Sequence, residues 1–323
     1  MTTGEVWAIG VDLGGTKMEV AVVDSGGQLH HRLRRPTQVK AGPVAIENSI
    51  VAAVHDLLEK TETSPVGVGV GMAGQIDPAQ GVVQFAPNLG WHDVPLQEDL
   101  SQALGMPVVI TNDVRAATWG EWLHGAGQGC NDLVCLFVGT GIGGGVVSGG
   151  QLITGCTNTA GELGHIVIDQ DGPPCTCGNR GCLEALAGGW AIARQAREAV
   201  SRDPSAGSYL LGLAGGQLES VTAEFVSRAA SAGDPLALRL VDGVTQALVA
   251  GAVSLIHAFN PCQLILGGGV IDGLPQVVGR INQGVRNKAL AASTRSLLVI
   301  PARLRNDAGV VGAASLAIRS FIK

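Results

Sequence analysis

The chain has 323 residues, of which 46% are hydrophobic and 15% are charged, which suits one large or two medium domains and excludes a disordered chain. The formal net charge is −6 and no long basic run occurs, so nucleic acid is disfavoured as a partner. The sequence begins without a secretion-signal pattern, and its longest apolar stretch, near 247–259, is too short to span a bilayer. Because the cysteines outside one cluster are scattered, we expect a cytoplasmic protein with reduced thiols and no membrane partner.

The first motif is a loop between two apolar runs, 6–11 and 18–23, which predicts a strand, a glycine loop and a second strand. It contains Asp12, Gly14, Gly15, Thr16 and Lys17. Glycines at such a turn let backbone N–H groups approach a phosphate, and the Asp12 carboxylate can hold a hydrated magnesium ion. An ordinary hairpin turn is the alternative interpretation.

An amide and a carboxylate, Asn112 and Asp113, stand between a predicted buried strand at 107–110 and a helical segment that begins at 114. One of the two can cap the helix N-terminus. Alternatively, Asp113 faces a ligand cleft as a general base. Neighbouring residues can divide these tasks, so both interpretations can hold.

A second glycine loop, Gly139, Thr140 and Gly141, follows a predicted strand at 133–138. Its G-x-G-x-x-G spacing is not a dinucleotide fingerprint, because residues 146–153 predict a strand, a turn and a strand instead of a helix. The unit therefore repeats the first one, as in the paired domains of an actin-like, ribonuclease-H-like fold. A further glycine run, Gly267, Gly268 and Gly269, ends a strand at 262–266 and is otherwise an ordinary strand-to-helix turn.

One imidazole and three thiols, His165, Cys175, Cys177 and Cys182, follow the spacing H-x₉-C-x-C-x₄-C. This set predicts a closed Cys₃His zinc site with a structural role, because no position is left for a catalytic water. Three buried thiols and a core histidine are the alternative. The zinc would hold Glu162 and Glu184 in a fixed frame.

The segment G-E-L-G-H followed by C-x-C-G-x-x-G-C-x-E resembles the ROK family of repressors, open reading frames and kinases. The D-x-G-G-T-K and T-N-D-x-x-A-A patterns extend the resemblance over nearly the whole chain. It implies an α/β fold of two actin-like lobes with a central cleft and a structural zinc site. The smaller lobe would comprise 1–112 together with a C-terminal helix at 306–323, and the larger lobe 113–305.

The resemblance also implies ATP-dependent phosphorylation of a hexose at its 6-hydroxyl, with Asp113 as the general base. The family pattern implies these sugar contacts: Gly74, Asn88, Asn112, Asp113, Glu162, His165 and Glu184. The first two glycine loops would cradle the phosphates with Mg²⁺ between them, and Gly267–Gly269 would lie near the adenosine. A homodimer is the usual expectation for the family. Trp91 follows the Asn88 loop and either borders the cleft or covers the core.

Glucose is the expected sugar, and N-acetylmannosamine or N-acetylglucosamine is the alternative. Glu162 can accept hydrogen bonds from two vicinal hydroxyls of glucose, whereas N-acetylmannosamine kinases of bacteria tend to replace this glutamate. The family also includes sugar-responsive repressors, whose winged helix-turn-helix precedes the sugar domain. We expect no such element here, because Asp12 stands almost at the start of the sequence.

Overall fold

The computed structural model describes residues 6–62 and 64–322. Its strands are β1 (Trp7–Leu13), β2 (Lys17–Asp24), β3 (Leu29–Pro36), β4 (Val68–Met72), β5 (Gln75–Asp77), β6 (Val82–Ala86), β7 (Trp91–Val94), β8 (Val108–Asn112), β9 (Leu133–Val138), β10 (Ile142–Ser148), β11 (Gln151–Leu152), β12 (Gln263–Gly267) and β13 (Leu298–Pro301). Its helices are α1 (Pro43–Leu58), α2 (Leu96–Leu104), α3 (Asp113–His124), α4 (Leu183–Ala187), α5 (Gly189–Arg202), α6 (Ser208–Leu213), α7 (Ala223–Ser231), α8 (Pro235–Phe259), α9 (Gly269–Gly273), α10 (Gln276–Lys288), α11 (Ala291–Thr294) and α12 (Ala308–Phe321).

These elements form two compact units. The first contains the described residues of Met1–Gly129, Leu152–Ala160 and Arg303–Lys323, and the second contains Cys130–Gln151 and Gly161–Ala302. The predicted lobes, 1–112 with 306–323 and 113–305, have their boundary at residue 113, whereas this division keeps 113–129 with the first unit. The reason is that α3 packs along α12, so closely that a Cβ at Gly312 would lie 1.7 Å from the carbonyl oxygen of Ala116.

Each unit contains one five-stranded sheet, and the two sheets repeat the same order. The first runs β3-β2-β1-β4-β8 and the second β11-β10-β9-β12-β13. In both, an antiparallel hairpin is followed by parallel strands. The repeat agrees with the two strand–glycine loop–strand units predicted from the sequence. Because β1, β4 and β8 are parallel neighbours, Asp12 and Asn112 stand at the same edge of the first sheet.

Core packing explains two other segments. Trp91 begins β7 of a small three-stranded sheet and is 1% exposed, so this side chain covers the core. Helix α8 is long and apolar enough to cross a membrane, and it is longer than the apolar stretch noted in the sequence. However, half of its most apolar part is buried inside the protein. Leu248, Ala252 and Leu255 on α8 belong to the main core of the second unit. This burial is typical of a core helix.

Candidate functional site

Asp12 is a half-buried carboxylate near the end of β1. Burial, and then the negative charges of Asp113 and Glu19, raise the pKa of Asp12 to about 7, while Lys17 opposes the shift. A carboxylate that is poorly solvated and faces other carboxylates gains most from a nearby cation. The donor chemistry therefore fits a hard, oxygen-binding ion such as Mg²⁺.

The first glycine loop is a tight hairpin turn closed by the Gly14 N–H, which donates to the Lys17 carbonyl at 3.0 Å. Thr16 and Lys17 are exposed on it. The loop lies against a predicted sugar residue, since a Cβ at Gly15 would be 3.3 Å from the Cβ of Asn88. The hairpin interpretation is therefore correct, and it does not conflict with a phosphate-binding role.

Asn112 and Asp113 divide their tasks at the start of α3. Asn112 is the N-cap, and its Oδ1 accepts from the N–H groups of Val114 at 3.0 Å and Arg115 at 3.1 Å. Its Nδ2 donates to the carbonyl of Gly74 at 3.5 Å, which brings two of the predicted sugar residues together. Asp113 is the first helical residue, and its Oδ1 accepts from Val114 N–H at 2.8 Å. This bond orients the carboxylate at the helix start.

The second unit contains a cavity of about 520 Å³. Its walls come from two of the predicted glycine runs, represented by Gly139, Thr140 and Gly269, and from Trp190 and α7. Gly267 ends β12 and Gly269 begins α9, so this run is also a strand-to-helix turn. The cavity is within the range of sizes seen for small-ligand sites. The structure thus brings together two loops that are distant in sequence.

The predicted metal ligands converge. One ligand atom from each of His165, Cys175, Cys177 and Cys182 lies within 4.8 Å of every other. The Cys175 Sγ to His165 Nδ1 and Cys177 Sγ to Cys182 Sγ distances are both 3.7 Å. Ligand atoms held tetrahedrally around zinc lie roughly 3.5–3.8 Å apart, so the geometry fits this ion.

The thiols differ in their environments. The backbone N–H of Asn179 lowers the pKa of Cys177, whereas burial and the neighbouring thiols raise the pKa of Cys182 to about 12. Because a metal would need the thiolate of Cys182, ion binding would release its proton. Gly178 and Gly181 have φ values of +89° and +65°, which lets the chain wrap around the cluster.

The two ring nitrogens of His165 face different groups. Its Nδ1 lies near the Cys175 thiol, and its Nε2 is 4.0 Å from Oε2 of Glu162. The side chains of His165 and Glu162 are 33% and 59% exposed. One ring nitrogen is therefore available to the thiol cluster, and the other is on the side of the exposed carboxylate.

Glu184 is placed differently. It is 8% exposed, and its carboxylate accepts hydrogen bonds from Ile142, Thr176 and Trp190 of the same unit. Its predicted role as a sugar contact stays a prediction. A carboxylate has lone pairs for further donors.

Sequence reasoning missed four hydrogen bonds that involve Arg115, close to Asp113 in the chain, or its partner Asn158. Arg115 donates to Oδ1 of Asn158, and also to the carbonyls of Asn158 at 2.9 Å and Ala160 at 3.2 Å. Asn158 in turn donates to the Ile76 carbonyl at 3.2 Å. Arg115 stands at an unspecified position of the T-N-D-x-x-A-A pattern, and its partner lies 43 residues later, so no local signal pointed to this contact.

The model of the ROK family matches residues 8–320. The chain is 38% identical to the glucokinase of Thermotoga maritima over 309 residues, which are 95% of this chain and 96% of that relative. It is 34% identical to the N-acetylmannosamine kinase of Citrobacter koseri, over 96% of this chain and 98% of that relative. The solved structure of a ROK family glucokinase from Streptomyces griseus in complex with glucose and AMPPNP is similar, with a TM-score of 0.84, 37% identity and coverage of 97% of this chain and 99% of that one. Because the family match extends over nearly all of the sequence, the chain belongs to the ROK family.

Proposed function

We propose that this chain is a glucokinase, which transfers the γ-phosphoryl group of ATP to the 6-hydroxyl of glucose. The observation that carries the proposal is its likeness over 97% of its length to a glucokinase whose structure contains glucose and AMPPNP. The 38% identity to the Thermotoga maritima glucokinase supports the same reaction. In the cell, this function would need only small-molecule partners, a hexose and a nucleotide. A cytoplasmic homodimer remains our expectation.

Asp113 is the proposed general base. The O6–phosphorus bond forms as the bond between the γ-phosphorus and the β–γ bridging oxygen breaks, and the hydroxyl proton passes to the Asp113 carboxylate. ADP leaves with the bridging oxygen. Phosphoryl transfer asks little covalent chemistry of a protein, so positioning and charge neutralisation provide most of the rate enhancement.

The other proposed sugar contacts have donors or acceptors that can hydrogen-bond to hydroxyl groups. Glu162 can accept two hydrogen bonds from vicinal hydroxyls, and the Nε2 of His165 can bind a third hydroxyl. Asn112 uses its carbonyl oxygen as a helix cap and one amide hydrogen for the Gly74 carbonyl, which leaves the second amide hydrogen to donate to a hydroxyl. Asn88 and Gly74 complete the set on the first unit.

The proposed nucleotide contacts are assigned to each unit by itself. In the second unit, the cavity would hold the nucleoside and backbone N–H groups of Gly139–Gly141 would bind phosphate oxygens. In the first unit, the loop Gly14–Thr16 offers backbone N–H groups of the same kind. Asp12 would hold the Mg²⁺ ion that neutralises phosphate charge. The reduced negative charge of the phosphates favours attack by the sugar hydroxyl.

The zinc site is proposed to be structural. His165, Cys175, Cys177 and Cys182 would hold the ion and fill its coordination. Binding through Nδ1 fixes the ring plane of His165 and leaves Nε2 for the substrate. The thiol cluster thereby orients a sugar ligand without taking part in the transfer.

One product analysis tests the reaction. The purified chain is incubated with glucose, ATP and Mg²⁺, and phosphorus NMR follows the nucleotide and the sugar phosphate. We expect ADP and glucose 6-phosphate in equal amounts, with the phosphorus coupled to the two protons on carbon 6. ATP hydrolysis without a sugar phosphate, or a phosphate on another hydroxyl, would overturn the proposal.

N-acetylmannosamine is the second candidate substrate, favoured by the 34% identity to a kinase for that sugar. Glu162 argues against it, because an N-acetyl group replaces one of the two hydroxyls that this carboxylate would bind. A hydrogen bond to a charged group contributes about 1.5–3 kcal/mol, so one lost contact to this carboxylate would separate the sugars by roughly tenfold or more.

A further inference from the structure

Glu184 connects three separate segments of the second unit. Its Oε2 accepts from the backbone N–H of Ile142 at 2.8 Å. Its Oε1 accepts from the indole Nε1–H of Trp190 at 3.1 Å and from the hydroxyl of Thr176 at 3.3 Å. Because Glu184 is 8% exposed and its bond to Ile142 is buried, loss of the carboxylate would leave the Ile142 N–H without this acceptor.

The first of these segments is the second glycine loop. Ile142 follows Gly141 directly, and a Cβ at Gly141 would lie 2.4 Å from Oε2 of Glu184. The loop is also bonded to the start of α5, since the N–H groups of Gly189 and Trp190 donate to the carbonyls of Gly139 and Thr140, each at 2.9 Å. The loop therefore has its shape fixed by Glu184 on one side and by α5 on the other.

The second segment carries an aromatic wall of the cavity. Trp190 lines the cavity beside Gly139 and Thr140. Its indole is held by the hydrogen bond to Glu184 and by the guanidinium of Arg194, which lies 5.4 Å from the ring centroid. An aromatic ring held in one orientation offers a flat apolar surface to a purine base.

We propose that Glu184 is a positioning residue for the nucleotide, which sets the Trp190 wall and the Gly139–Gly141 loop in one frame. The proposal rests on the proposed function, because it assumes a purine nucleotide in this cavity. It assigns Glu184 a task that differs from the sugar contact predicted for it. Glu184 acts through Ile142 and Trp190 and does not itself contact the nucleotide.

The test separates the two tasks by measuring each ligand alone. Calorimetry gives the Kd of AMPPNP with Mg²⁺ in the absence of sugar, and the Kd of glucose in the absence of nucleotide. Glu184→Gln keeps the size of the side chain but directs an NH₂ group at one of its donors. We expect AMPPNP to bind about fivefold more weakly or worse, the lower limit for a buried donor that loses its acceptor.

Trp190→Phe is the second variant, and it keeps an aromatic wall while removing the indole N–H. We expect Trp190→Phe to bind AMPPNP more weakly than the wild type. In the double variant Glu184→Gln/Trp190→Phe, the fold-loss of affinity should be smaller than the product of the two single losses, because both substitutions remove the same hydrogen bond. The fluorescence of Trp190 is obtained by subtracting the emission of Trp190→Phe from that of the wild type, and it should change when AMPPNP binds. Glu219→Gln is the control, since this 87%-exposed carboxylate pairs with Arg197 and should leave both Kd values unchanged.

The outcomes are distinct. If Glu184→Gln and Trp190→Phe bind AMPPNP as the wild type does, the inference is overturned while the proposed function stands. If Glu184→Gln weakens only glucose binding, Glu184 is a sugar contact and the inference is again overturned. If the wild type itself binds no AMPPNP, the proposed function fails as well. Should Glu184→Gln not fold, the Trp190→Phe affinity decides alone.

Discussion

Gly309 lies directly against Asp12, so that a Cβ at position 309 would be 2.9 Å from the carboxyl carbon of Asp12. Gly309 is the second residue of α12, and Asp12 lies near the end of β1. Real Cβ atoms essentially never come so close to another heavy atom. The position of the proposed magnesium ligand therefore depends on a glycine near the other end of the chain.

Gly309→Ala is expected to displace the Asp12 carboxylate. We predict a fall of about tenfold or more in kcat/KM for ATP and a higher Mg²⁺ requirement, because misplacing a group by about 1 Å can cost a hundredfold in rate. Steady-state kinetics at several Mg²⁺ concentrations measure both. Gly279→Ala in α10 is the matched control, since a Cβ there meets open space. Unchanged kinetics in Gly309→Ala would contradict the role of Asp12.

The raised pKa of Asp12 predicts a pH-dependent stability. Burial and the charges of Asp113 and Glu19 raise the pKa from 3.8 to about 7, against the opposing charge of Lys17. Between these values the folded state binds the proton and the unfolded state does not, so the free energy of unfolding falls as pH rises. This contribution is complete below about pH 4 and is lost as pH rises through about 7.

Urea unfolding from pH 5 to pH 8 without Mg²⁺ measures this effect. Asp12→Asn should show a smaller decline with pH than the wild type, because the variant has no proton to lose. Added Mg²⁺ should raise the stability of the wild type at pH 8 more than that of the variant. Equal slopes in the two proteins would refute the shift.

Asp113→Asn is predicted to lower kcat by about 10²–10⁴-fold, the usual range for removing a general base. The asparagine oxygen can still accept from Val114 N–H, so the helix start and the glucose Kd should be retained. Turnover and glucose binding are measured on the same preparation. Near-normal turnover in the folded variant would exclude the assigned role.

The metal prediction is one zinc ion per chain. Cys177→Ser should lose the metal, lower the Tm and weaken glucose binding through His165, because structural zinc contributes on the order of 10 kcal/mol to local folding. Elemental analysis and thermal unfolding measure these effects. Cys156→Ser is the control, as this exposed cysteine lies outside the cluster. Protein purified without chelator that contains no zinc would disprove the site.

The sequence predicted the elements whose signals are local. Glycine runs after apolar strands gave both loops, and the Cys/His spacing gave the thiol cluster. The segment that follows the thiol cluster forms two helices, α4 and α5, which are separated at Gly188 because the backbone there bonds to Glu184 and Gly139. Strand β7, which begins at Trp91 after the Asn88 loop, was not predicted, because its pairing depends on a neighbouring strand, β6.

The contacts between distant residues of the candidate site could not be predicted from local sequence patterns. Asp12 meets Gly309, and Arg115 meets Asn158, only after the chain has folded, and hydrophobic periodicity carries no information on such pairs. Trp190 is an ordinary apolar residue of an amphipathic helix in sequence terms. Its hydrogen bond to Glu184 appears only because α4 and α5 turn back on the glycine loop.

Glucose is the proposed substrate, and an assay over four sugars tests this assignment. The purified chain is assayed with glucose, mannose, N-acetylmannosamine and N-acetylglucosamine at matched ATP and Mg²⁺, by a coupled assay for ADP. We predict a kcat/KM for glucose about tenfold or more above that of either N-acetyl sugar, because Glu162 loses a hydroxyl partner in them. Mannose keeps all its hydroxyls and should be a weaker substrate than glucose. Faster turnover of N-acetylmannosamine than of glucose would contradict both the choice of glucose as the substrate and the role of Glu162.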